Sequence, residues 1–199
     1  MTSTNTAPET RDWSALDKLC DTYIHDYARL DPTAATDWGL PTDPTTLPDL
    51  SPDGIDERAG LDAALLATVA HTALEDEVDR VTADALVDRL GISQELHAGK
   101  EDYAQLNNLA SPLQSVKDAF SLMPTATVAD WEAIVGRMGN VPQALKQYTQ
   151  SLAYAAESGM VAARRQVEIG IKQSLSIGTP GSSGAFFEKL ALDCPAETA

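Results

Sequence analysis

Residues 127–177 read TVADWEAIVGRMGNVPQALKQYTQSLAYAAESGMVAARRQVEIGIKQSLSI, and the spacing of their apolar positions decides the fold class. Thr127 is placed to cap a helix whose first turn holds Asp130, where the positive end of the helix dipole favours a negative charge. That segment is expected to break at Gly139-Asn140 and to restart at Pro142. Proline at a first helical position forgoes only an N–H that would be unpaired there anyway. Beyond it Leu145, Tyr148, Leu152 and Ala155-Ala156 recur at helical spacing and share one face. Ser158-Gly159 supplies a left-handed residue that ends a helix. Met160, Val161, Val167, Ile171 and Leu175 then build a second apolar face. The expectation is an all-α, multi-helix array organised around a long αα-hairpin.

The flanking sequence reads as further helices. From Trp13 to Leu30, Leu16, Leu19-Cys20, Tyr23-Ile24, Tyr27 and Leu30 repeat every three or four residues, the pattern of an amphipathic helix. Asp31-Pro32 ends it and starts a short piece that stops at Gly39. The stretch LPTDPTTLPDL, residues 40–50, holds three prolines and no periodicity, and reads as a loop. Ser51-Pro52 opens a helix expected to persist to about Val78, followed by another from Thr82 to Gly99. Residues 103–112 read as irregular, and Pro112 to Leu122 as a short helix. The organisation expected is a disordered leader over 1–11, a helical domain over 12–177, and a flexible break with the start of a truncated helix over 178–199. In that last segment Phe186 and Phe187 are expected to lack enough chain to be packed.

Composition narrows the function. Of the 199 residues 43% are hydrophobic, enough for a substantial core. Formal net charge is −16 and unevenly spread: residues 1–99 carry 6 basic and 20 acidic side chains, residues 100–199 carry 8 and 10. Such an acidic surface repels nucleic acid and anionic membrane, so neither is expected as a partner. The start MTSTNTAPETRDW has no apolar run behind a basic end, and no segment has the apolar length of a membrane helix. Cys20 and Cys194 stand alone, without a Cys-x-x-Cys, and imply neither a disulfide framework nor a zinc site. The cytoplasm is the expected location.

Side chains able to carry chemistry are scattered. His25, His71 and His97 lie in three different segments, with no His-Glu-x-x-His to hold zinc on a helix face. Asp49, Ser51, Asp53 and Gly54 mimic the first half of a calcium loop, but the twelfth position holds Gly60 instead of a bidentate Glu. They read better as a helix-capping turn. Glu75, Asp76, Glu77 and Asp79 read as a solvated acidic face. Arg164-Arg165 is expected to pair with the acidic half of the chain. No Gly-x-Ser-x-Gly marks a serine nucleophile. No residue is assigned a catalytic, cofactor-binding or metal-binding role.

Several landmarks, taken in order, resemble one bacterial family. Asp31-Pro32-Thr33-Ala34-Ala35 through Gly39 form one. Leu47-Pro48-Asp49-Leu50-Ser51-Pro52 with Ile55 and Arg58 form a second. Met123-Pro124, Val141-Pro142 and Ser158-Gly159-Met160 follow. Together, from about Trp13 to Leu192, they resemble the N-terminal part of the family called domain of unknown function 885. The resemblance implies a helical protein similar to thermostable-type zinc carboxypeptidases, in which the His-Glu metal motif and its zinc belong to a C-terminal part that this sequence does not include. It therefore implies the helical N-terminal domain of a zinc-dependent, metallopeptidase-like hydrolase, inactive as given and with no cofactor of its own. Its expected partner is the missing catalytic part, or a second copy met through an exposed apolar helix face. The alternative is a stand-alone helical interaction or oligomerisation module.

Overall fold

The computed structural model describes residues 11–195. They form eight helices and no strand: α1 (Ala15–Leu30), α2 (Pro32–Trp38), α3 (Pro52–Val69), α4 (Glu77–Ala98), α5 (Pro112–Asp118), α6 (Val128–Glu157), α7 (Arg164–Gly178) and α8 (Phe186–Leu192). The chain is all-α. No helix among the described residues is long and apolar enough to cross a membrane. The leader expected over 1–11 lies outside the described residues except for Arg11.

The helix starts follow from capping chemistry. Ser14 accepts from the backbone N–H of Asp17 at 3.1 Å, and the Asp17 carboxylate accepts in return from the N–H of Ser14 at 2.9 Å. Asp31 caps α2, with Pro32 in its first turn and Gly39 left-handed at its end, φ +70°. Ser51 caps α3 and Thr127 caps α6, in the latter with Asp130 closing the box.

Three apolar clusters hold the helices together. Leu16, Leu65, Val69 and Ala83 join α1, α3 and α4. Leu50, Val116, Ala144 and Tyr148 join α5 to the middle of α6. Phe120, Met123, Trp131 and Ile134 surround the start of α6. The helix α6 is thus common to two clusters.

Four features differ from the sequence reading. First, α6 does not break at Gly139-Asn140 but runs unbroken through Pro142 for 30 residues. A proline inside a helix loses one backbone hydrogen bond, at a cost of about 3 kcal/mol. Burial of Ile134 before it and of Ala144 and Tyr148 after it offsets that cost. Second, α3 ends at Val69 and α4 begins at Glu77, because Asp76 caps α4 by accepting from the N–H of Asp79 at 2.9 Å.

Third, the expected hairpin is not a closed apolar seam. Gly159 is left-handed, φ +84°, but helix resumes only at Arg164. Only Gly170 of α7 is buried, against Leu106 and Leu113. Its apolar face stays open, with Val167 39%, Ile171 56% and Leu175 61% exposed. Fourth, Phe186 and Phe187 do find cover. Gly181, left-handed at φ +76°, turns the chain, and its N–H donates to Glu188 at 2.6 Å. Both rings then meet Phe120 edge-on, at centroid distances of 6.3 and 5.4 Å.

The acidic run at 75–79 is no solvated face throughout. Asp79 is fully buried, accepting from Ser14 Oγ at 2.8 Å, from the Glu75 N–H at 2.8 Å and from Arg11 at 3.1 Å. Arg11 also meets Asp17 at 2.6 Å and Asp76 at 2.7 Å. The start of α1 is thereby bolted to the start of α4.

Four outcomes test this account. Ile134, 1% exposed, should cost about 2–5 kcal/mol on truncation to alanine in a denaturant melt. Leu152→Ala, on the open side of α6, should cost only about 1 kcal/mol, having less surface to lose. The Asp79 carboxyl is held below its usual range, chiefly by the Glu75 N–H, with Ser14 and Arg11 adding to it against the opposing effect of burial. A folded-state pKa below the unfolded one stabilises above about pH 4, and that contribution is lost as pH falls through the folded value. Melting temperature should therefore change little from pH 7 to 5 on this account and fall below about pH 4. Asp79→Asn should remove much of that acid-limb fall.

Candidate functional site

Among the hollows that the described residues form, three stand out by volume. A cleft of 630 Å³ between α2 and α5 has an apolar floor, including Leu50 and Val116, and Asp31, Asp37 and Asp118 on its walls. A groove of 360 Å³ is lined by Leu145 and Leu152 of α6 and by Val167, Ile171 and Leu175 of α7. A polar pocket of 300 Å³ gathers side chains from α1, α3, α4, α6 and the segment after α4.

The polar pocket contains the densest chemistry. On α3, Arg58 and Asp62 are four residues apart and share a face. On α4, Gln94 and His97 are three apart and do the same. After α4, Lys100 takes a left-handed conformation, φ 61°, and the chain returns Asp102 to His97. His97 Nδ1 lies 2.7 Å from Asp102 Oδ2. An ionised carboxylate only accepts, so Nδ1 bears the proton of that bond. His97 Nε2 is 3.8 Å from Asp56 Oδ1. Tyr103 donates to the same Asp56 oxygen, and its ring lies 5.4 Å from the imidazole. Burial, reinforced by Asp56, pushes the Tyr103 phenol up.

The pair on α3 is held by other partners. Arg58 Nη1 donates to the Asp49 carbonyl at 2.8 Å. Tyr23 donates to Asp62 Oδ1 at 2.7 Å. Burial raises the Asp62 pKa, opposed by the Tyr23 hydrogen bond and by the charge of Arg58. No ion pair within 4.0 Å joins Arg58 to Asp62.

A histidine oriented by an aspartate is one part of a nucleophilic triad, but the others are not assembled. Ser93, one turn before His97, donates to the Arg89 carbonyl at 3.2 Å. Nor do the residues present fit zinc. Among the described residues no three or more His, Cys, Asp or Glu side chains gather to hold a metal. His25 pairs at 3.9 Å with Asp21 on the exposed side of α1, and His71 lies exposed in the turn after α3. Asp49 and Ser51 are engaged at the start of α3: Asp49 accepts from the Ser51 N–H at 2.8 Å, and a Cβ on Gly54 would collide with Asp49. Arg164 pairs with Glu168 of its own helix at 2.8 Å, not with the acidic half. Cys20 and Cys194 belong to separate clusters, and burial raises the Cys20 thiol.

The sequence reading left Arg58, Asp62 and Asp102 without a role. The i, i+4 spacing of the first two was a visible signal. The return of Asp102 to His97 requires a left-handed residue at Lys100, one position past the Gly99 that the sequence marks as the helix stop.

The family described as "Bacterial protein of unknown function (DUF885)" matches residues 32–196, and the chain belongs to it. The match starts at Pro32 rather than Trp13, so α1 lies outside it. It says nothing of zinc carboxypeptidases. No curated protein matches the chain.

The Tyr23–Asp62 bond has a measurable consequence. Since the phenol holds the Asp62 carboxyl down against burial, Tyr23→Phe should raise its titration midpoint, read by carboxyl-carbon NMR. A raised folded pKa means that protonation favours the folded state. The variant's stability should therefore gain more than the wild type's as pH falls through that midpoint.

Proposed function

We propose that this DUF885 member is the helical, non-catalytic part of a metallopeptidase-like protein resembling zinc carboxypeptidases, and that its α7 face packs against the part bearing the metal. The observation that carries the reading is the unpartnered apolar face of α7. Ile171 and Leu175, 56% and 61% exposed, line with Val167 a groove whose opposite wall comes from α6 and from Leu106 and Leu113. Contiguous exposed apolar surface of this kind is what a packing interface leaves when its partner is absent. The described residues gather no metal-ligand set of their own, so the hydrolytic centre of such a protein would lie outside them.

The test uses the chain by itself. Zinc titration against a chelator should reveal no stoichiometric site of sub-micromolar affinity, and peptides should not be cleaved with or without zinc. Sedimentation should show weak, concentration-dependent association. Ile171→Glu with Leu175→Glu should abolish it while leaving the melting temperature within a few degrees. Stoichiometric zinc with peptide cleavage would overturn the non-catalytic reading. A wild type as strictly monomeric as the double variant would remove the α7 face from it.

A further inference from the structure

The pocket beside His97 sets a guanidinium and a carboxylate on adjacent turns of α3 without letting them pair. Arg58 and Asp62 both line it, and among the described residues no carboxylate approaches Arg58 within 4.0 Å. At this spacing an arginine and an aspartate on a helix are within reach of each other, though the order with the arginine first is the less favourable one. Here each is drawn away. Arg58 donates once, to the Asp49 carbonyl ahead of α3, which leaves its other N–H groups uncommitted. Asp62 is held by the Tyr23 hydroxyl on α1 through Oδ1, which leaves Oδ2 uncommitted. Both side chains are half-buried, so the charges are partly desolvated as well as separated.

Four other polar side chains of the lining are already engaged. His97 and Asp102 satisfy each other at 2.7 Å. Gln94 donates to the Ala59 carbonyl at 2.9 Å, and buried Ser151 to the Leu50 carbonyl at 2.6 Å. Arg58 and Asp62 are the opposite charges left to a visitor. The volume of 300 Å³ corresponds to about ten waters in the liquid, room for a small molecule and no more.

We propose that this pocket binds a small zwitterion of the free α-amino-acid class, its carboxylate on Arg58 and its ammonium on Asp62. Arginine's planar fork suits a carboxylate, and an ammonium suits the single open oxygen of Asp62. A ligand bearing one charge would satisfy one partner and leave the other as it is. Neither Arg58 nor Asp62 lines the α7 groove, so this site and the proposed non-catalytic role fail separately.

The experiment is a melting and calorimetric titration of the full chain with the common free α-amino acids at about 10 mM, beside their N-acetyl and carboxamide derivatives. At least one free amino acid should raise the melting temperature and bind with single stoichiometry. Blocking either its amine or its carboxylate should weaken it by about tenfold or more. Asp62→Asn, which can still accept from Tyr23, should lose binding without losing the fold, and Arg58→Met should lose it too. Should Arg58→Met fail to fold, Arg58→Lys keeps the charge without the fork and should bind measurably more weakly. No shift with any free amino acid would overturn the assignment. So would equal binding of the blocked derivatives, or binding that survives Asp62→Asn together with either Arg58 variant.

Discussion

The fold depends on α6 staying one helix. Its buried positions, Trp131, Ile134, Arg137, Ala144, Tyr148, Ser151 and Ala155, fall at steps of three, four and seven residues, which is a single face only if no turn is lost. A break at Pro142 would rotate the second half away from the first, and the two clusters it joins would no longer share a wall. The helix also pins loops that have no regular structure of their own. Asn140 donates to the Thr45 carbonyl at 2.9 Å and Ser151 to the Leu50 carbonyl at 2.6 Å, so the proline-rich segment before α3 lies along α6. The start of α3, and with it Arg58, is positioned by that contact.

Arg137 is the most demanding side chain on this helix. It is fully buried, donating to the Ala119 carbonyl at 3.1 Å and to Thr36 Oγ1 at 3.2 Å, with its Nε unpartnered. Burial lowers its pKa, while Asp43, Asp31 and Asp37 act against that through space. A buried charge without a nearby counter-charge is expensive. The aspartates around α2 therefore do more than keep the acidic half of the chain in solution: they set the potential in which Arg137 is buried. Asp79 is its counterpart at the start of α4. There the buried group is the carboxylate, and it has a direct ionic partner in Arg11.

What the sequence makes legible is what short-range chemistry decides. Asp31-Pro32, Ser51-Pro52, Thr127 with Asp130, Gly39 and Gly159 each act within a few residues, and each does in the fold what its local chemistry demands. The readings that fail are those where a distant partner overrules a local rule. Proline at 142 looks like a helix start until burial on both sides of it is counted. Asp79 looks like one more solvated carboxylate because Arg11 lies 68 residues away. Asp76 was hidden as a cap by the acidic run around it, which moved the expected start of α4. The tail reads as too short to bury its own rings, and Phe120, two residues past α5, supplies the surface. The pocket beside His97 was invisible for the same reason, since its walls come from five separate stretches of chain.

The separation of Arg58 from Asp62 costs the fold little. An i, i+4 ion pair on a helix contributes only about 0.3–0.5 kcal/mol. A hydrogen bond to a charged group contributes about 1.5–3 kcal/mol, so the Tyr23 bond to Asp62 Oδ1 more than offsets the ion pair that is not made. The arrangement is thus stable without a ligand and needs no strain to maintain it. It leaves two opposite charges fixed by neighbours on α1 and ahead of α3. A ligand that meets both has no existing ion pair to break and little side-chain freedom to remove. Under those conditions charge complementarity adds to affinity instead of being spent on rearrangement.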